Sequence, residues 1–130
     1  MTITLSLFAT AILFGGMILY SFGFAAFLFS ALPLDMARSA IRKAFPHFYV
    51  FVILTALIGA ALSAVHDSIS AGLLAIIAIT TVPTRQLLMP AINRATDSGA
   101  ASRFKWLHVA SGLITLAHIG MAGFVLARFA

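Results

Sequence analysis

Four stretches of the chain carry no charged side chain, at about 1–34, 44–65, 68–84 and 106–127. The charged residues collect between them. A bilayer hydrocarbon core of ~30 Å takes about 20 apolar residues as helix, so the pattern predicts an all-α integral membrane four-helix bundle in one domain. Its helices are expected at about 4–31, 46–65, 69–93 and 104–129. A transmembrane barrel would show alternating segments of about ten residues, and these runs are apolar throughout. The first run, "MTITLSLFATAILFGG", lacks a basic leader and is too long for a secretory signal, so it is expected to persist as a helix.

Within the apolar runs, small and polar residues have their own spacing. Ala9, Gly16, Gly23 and Ser30 recur every seven residues, which puts them on one face and lets a neighbouring backbone come close; Gly16 and Gly23 are expected in a helix–helix seam. Thr55, Gly59 and Ser63 form a second small-residue row in helix 2. Pro33 ends helix 1, and Asp35 is placed to cap the turn that follows. "DMARSAIRKAF" reads as a short amphipathic helix at the interface, with helix 2 beginning at Pro46, a favoured first-turn position. Pro83 is expected to kink helix 3, with Thr80 or Thr81 bonding the carbonyl it frees at residue 79. Arg85 either snorkels to the headgroups or pairs inside the bundle.

Composition confirms the class: of 130 residues, 62% are hydrophobic and only 8% charged, against roughly 25% charged in soluble domains. Cysteine is absent, which removes thiolate metal sites and disulfides. Of the eight Lys and Arg residues, Arg38, Arg42, Lys43, Arg85, Arg94, Arg103 and Lys105 belong to the two links expected at one end of the bundle. Only Arg128 lies at the other. By the positive-inside rule both termini are then on the periplasmic or outer side of a bacterial cytoplasmic membrane. The basic end would also attract anionic lipid headgroups at about 1 kcal/mol per cation; no nucleic-acid recognition module accompanies the charge.

Candidate chemistry concentrates in "RFKWLHVASGLITLAHIG". At 100° per residue, His108, Ser111, Thr115 and His118 fall within a stripe about 80° wide, and polar groups of this kind face the bundle interior. His108 and His47 are expected at similar depth, with His108 holding the contact between helices 2 and 4. With Met36 and Met89 they could form a ligand or soft-metal site at the basic end. A haem held between two histidine-bearing helices fits poorly, since the His47–His66 and His108–His118 spacings differ by about 13 Å along a helix; at most one haem is conceivable, and no cofactor is expected. Asp35, Asp67 and Asp97 all lie in links or at helix ends. Neither a nucleophile–His–acid set nor paired carboxylates are placed for catalysis, so the chain is not read as an enzyme.

"FPHFYVFVILTALIGAAL", "VPT" and "RFKWLHVASGLI" together resemble the domain-of-unknown-function-4149 family, which includes transmembrane-protein-205-like members. Phe45, Pro46, Tyr49, Pro83, Phe104, Leu107, His108 and Ser111 carry the resemblance. It implies four membrane helices with both termini outside; vertebrate members are associated with cisplatin resistance. Ile114 and Thr115 stand where members often carry asparagine, and His118 is not part of the shared pattern.

The function expected is a non-enzymatic membrane subunit, packed against other subunits of an inner-membrane complex or against itself. The alternative is a transporter or metal- or drug-handling protein using the basic-end His/Met residues.

Overall fold

A computed structural model describes all 130 residues. Four helices, each long and apolar enough to cross a membrane, account for nearly the whole chain: α1 Thr2–Ala31, α2 Leu34–Ser63, α3 Ser68–Asp97 and α4 Ala101–Ala127. They alternate in direction, so both termini and the α2–α3 turn share one end, called here the terminal end. The α1–α2 and α3–α4 turns share the other, the basic end. Helices adjacent in sequence pack side by side and α1 closes against α4. This square arrangement leaves α2 and α4 on a diagonal.

The buried stripes follow helical spacing. α1 contributes Ser6, Thr10, Leu13 and Met17; α2 contributes Val52, Ala56, Gly59 and Ser63; α3 contributes Ser70, Leu74, Ile77 and Thr81; α4 contributes His118, Ala122 and Val125. Three helices meet at Gly59, where a β-carbon would come 3.1 Å from Leu74 and 3.9 Å from both Ala9 and Thr10. Close approach requires glycine there. Outside this core the bundle presents large apolar side chains, among them Ile12, Phe22, Leu54, Ile79 and Leu113, as a lipid-facing surface must.

The turns are built from local chemistry. Asp67 caps α3, accepting from the Ser70 amide at 3.2 Å and the Ser70 hydroxyl at 2.6 Å. Gly99, at φ 69°, ends α3 in the left-handed conformation, and the Ala100 amide returns to the Ala95 carbonyl at 3.0 Å, the hydrogen bond of a Schellman cap. α2 starts after Pro33, whose extended conformation delivers the chain into the helix. Asp35 is therefore not the cap; it sits in the first turn, where the helix dipole favours an acid.

Two features depart from the expected layout, both at prolines. α2 begins at Leu34 rather than Pro46, so the segment expected as a separate interfacial helix is its first turns and Pro46 lies within it. α3 meets Pro83 by changing helix type: its α-helical part ends there and Thr84–Leu88 continue as π-helix. A wider turn relieves the clash between a proline ring and the carbonyl four residues back. α1 contains a second π-helical stretch, Leu19–Phe24, which nothing in the hydrophobic pattern announces.

Candidate functional site

Polar side chains within the spans converge on the inner face of the bundle. Thr80 donates its hydroxyl to the Ile76 carbonyl at 2.7 Å. Its oxygen is then free to accept from His118, whose Nε2 is 2.8 Å away. This pair ties α3 to α4. Thr81 and Thr84 bond the Ile77 and Thr80 carbonyls at 2.6 and 2.9 Å. The threonines around Pro83 thus serve carbonyls other than that of Ile79, because each hydroxyl reaches one turn back along its own helix.

Across the diagonal, the Tyr49 hydroxyl approaches Ser111 at 3.5 Å. The phenol is the only side chain here long enough to bridge α2 and α4 through the bundle centre. Ser111 and Thr115 are half-buried and His118 is buried, so three members of the expected stripe face inward. His108 does not. It is exposed and stacked on Phe104 of its own helix, with ring centroids 5.5 Å apart. The stripe drifts around α4 toward the basic rim, and the diagonal separation of α2 from α4 keeps His108 from holding that contact.

The two π-helical segments each present one long side chain to the proline region of α2. Tyr20 donates its hydroxyl to the Ala44 carbonyl at 2.8 Å, and its ring stacks on Phe48 with centroids 4.9 Å apart. Arg85 donates Nε–H to the Pro46 carbonyl at 3.2 Å. Side chains lean toward the N-terminus of their helix, and α3 starts at the terminal end, so Arg85 leans away from the basic-end headgroups. An interior carbonyl is its partner rather than a phosphate. Proline within a membrane helix is tolerated where neighbours supply such bonds.

The residues expected to form a His/Met site are dispersed. His47 is exposed and lines a groove between α1 and α2; His108 is on α4; Met36 is 57% exposed near the start of α2; Met89 is half-buried against the core. The structure does not bring these four together. The other two histidines are held by hydroxyls, His118 by Thr80 and His66 by Ser6 at 2.9 Å.

Of the glycines expected in a seam, Gly16 is confirmed in close contact: a β-carbon there would come 2.6 Å from the Phe51 ring. Gly23 has only its own Leu19 nearby, at 3.2 Å, and opens onto the groove instead. Ser30, the last of that series, is exposed.

At the terminal end, Arg128 grips Asp67 with two bonds, Nε to Oδ2 at 2.8 Å and Nη2 to Oδ1 at 3.0 Å. The Arg128 guanidinium and the Ser70 hydroxyl hold the Asp67 carboxyl far below the usual carboxylate range. At the basic end Arg42 bonds both Asp97 oxygens at 3.0 and 2.9 Å and the Asn93 carbonyl at 3.0 Å. The Asp67–Arg128 pair had a sequence signal, as the one acid and one base left at that end. The role of Tyr20 had none, while Arg85 takes the second of its two expected places, with a partner inside the bundle.

No curated protein and no solved structure matches the chain. The family described as "Domain of unknown function (DUF4149)" matches residues 8–101. That span covers α1 to α3, with their prolines and both π-turns; Phe104, Leu107, His108 and Ser111 lie beyond it. With well over half its length matched, the chain belongs to the DUF4149 family of membrane-spanning helical proteins.

Proposed function

We propose that the protein is a non-enzymatic component of a bacterial cytoplasmic membrane, acting as an accessory subunit of a larger assembly or as a small homo-oligomer. The observation that carries this reading is how the polar groups of the spans are used. His118, Tyr49, Tyr20 and Arg85 each bond a neighbouring helix. Their hydrogen-bonding capacity goes into fixing helix against helix, while the outer faces are broad and apolar. Transport sites are instead built from polar groups turned toward a water-filled path.

In this reading the basic end faces the cytoplasm and meets anionic headgroups, since seven of the eight Lys and Arg residues lie toward it. Thiol labels at Ser39 or Ser98, introduced as cysteine, are expected to react only from the cytoplasmic side. The functional test is extraction in mild detergent followed by native mass spectrometry. A defined oligomer or a stoichiometric partner supports the proposal. A monomer that takes up a copper ion or an organic cation with His108-dependent affinity overturns it.

A further inference from the structure

A groove of about 550 Å³ lies between the basic halves of α1 and α2. Its floor is glycine: Gly16 and Gly23 leave room that Leu19, Phe27, Phe48 and Phe51 wall in, and His47 and Tyr20 are the polar side chains lining it, Tyr20 with its hydroxyl already bonded to Ala44. We propose that this groove seats one acyl chain of an anionic phospholipid, with the lipid phosphate on Lys43 and His47 bonding the glycerol-ester region.

Depth is the first argument. On α2, Lys43 and the last helical residue, Ser63, are separated by about 30 Å of helix, matching the ~30 Å hydrocarbon core, and the turn carrying Asp67 follows. Lys43 therefore stands at the basic-end interface, with Asp67 at the opposite one. The groove runs along α1 from Gly16 to Phe27, about 16 Å of helix. Phe51, in contact with Gly16, lies about 12 Å below Lys43, so the groove reaches from near the bilayer centre to the interface. A leaflet's share of the core is ~15 Å, the length available to a single chain.

The second argument is the exposed histidine. His47 lies about 6 Å below Lys43 on the same face of α2, one turn apart. It is exposed, and the protein offers it no hydrogen-bond partner, whereas His66 and His118 each have one. A polar ring facing hydrocarbon without a partner is costly. α2 begins at the basic end, so His47 and Lys43 both lean toward the headgroups. A lipid ester oxygen and a phosphate are the partners at that height, and a protein helix in the groove would supply neither.

The proposal is independent of whether the protein is an accessory subunit. Its test is native mass spectrometry of detergent-purified protein titrated with phosphatidylglycerol or phosphatidylcholine, together with Tm. The unaltered protein is expected to retain one phosphatidylglycerol preferentially and to melt higher with it. Gly23→Leu fills the groove where only Leu19 is near, so the fold tolerates it and the retained lipid is lost. Lys43→Gln leaves the groove intact and lowers the phosphatidylglycerol preference about fivefold, as removal of one interfacial cation should. Equal retention of both lipids by the unaltered protein overturns the proposal, as does a Gly23→Leu variant that keeps its lipid. Dissociation of a dimer by Gly23→Leu with no change in bound lipid would also overturn it, by assigning the groove to a second copy.

Discussion

The two halves of the bundle are fastened by different chemistry. At the terminal end the helices are regular α-helix, and the ties between them run from side chain to side chain: Ser6 to His66 and Asp67 to Arg128. In the basic half lie Pro46, Pro83, Pro90 and both π-turns, and beside the Arg42–Asp97 pair the ties there run from side chain to backbone: Tyr20 to Ala44, Arg85 to Pro46, Arg42 to Asn93. An irregular helix exposes carbonyls that a regular one keeps occupied. The acceptors used are not the Arg42 carbonyl that Pro46 leaves free but those of Ala44 and Pro46, each of which has a second lone pair to offer.

The largest expected effect comes from overpacking at the boundary between the halves. Gly16→Leu drives a side chain into Phe51 and is expected to destabilise the bundle by about 1–3 kcal/mol. Gly23→Leu should leave stability nearly unchanged. Thermal unfolding in detergent compares them directly, and equal losses would mean the groove at Gly23 is closed by protein.

Next come the carbonyl ties. Tyr20→Phe keeps the ring stack on Phe48 and removes only the donor to Ala44, so it should cost about 1 kcal/mol. Ser6→Ala at the terminal end should cost less, because His66 is exposed and can turn to water. The reverse order would break the distinction between the halves. In the middle of the membrane, His118→Leu is expected to lose about 0.6 kcal/mol, the average for a hydrogen bond between membrane helices. His108→Ala should stay within about 0.5 kcal/mol of the unaltered protein, as exposed positions do.

The smallest effect is the sharpest in kind. Asp67 titrates in the native protein far below its unfolded value of about 3.9. Its contribution is therefore present above that unfolded value and is lost as pH falls through the depressed native one. The Ala44 and Pro46 carbonyls do not titrate. Acidification below about pH 4 should accelerate hydrogen exchange at the Asp67–Ser70 turn before it affects the amides around Pro46. Asp67→Asn should remove the difference.

What the sequence made legible was whatever follows from burial and charge counting. Four helices, their alternation and the inward face of Ser111, Thr115 and His118 come from hydrophobic runs and a 100° step. The exposure of His108 escaped, since matching its depth to His47 ignored that helices two apart in sequence occupy a diagonal. Pro46 read as a start because a first-turn proline and an interior proline look alike in sequence; neighbouring Tyr20 and Arg85 decide between them. The π-turn at Leu19–Phe24 is set by tertiary packing and has no local marker, so the groove it borders was out of reach as well.

His66 and Asp67 are adjacent in the α2–α3 turn, yet one reaches α1 and the other reaches the end of α4. In terms of assembly order, the α2–α3 turn carries both terminal-end attachment points before α4 has been made. α1, made first, can pack on α2 through Gly16 and Tyr20, but it gains its terminal-end tie only with His66. α4, made last, finds its anchor waiting. A fragment ending before His66 would leave α1 without its terminal-end partner.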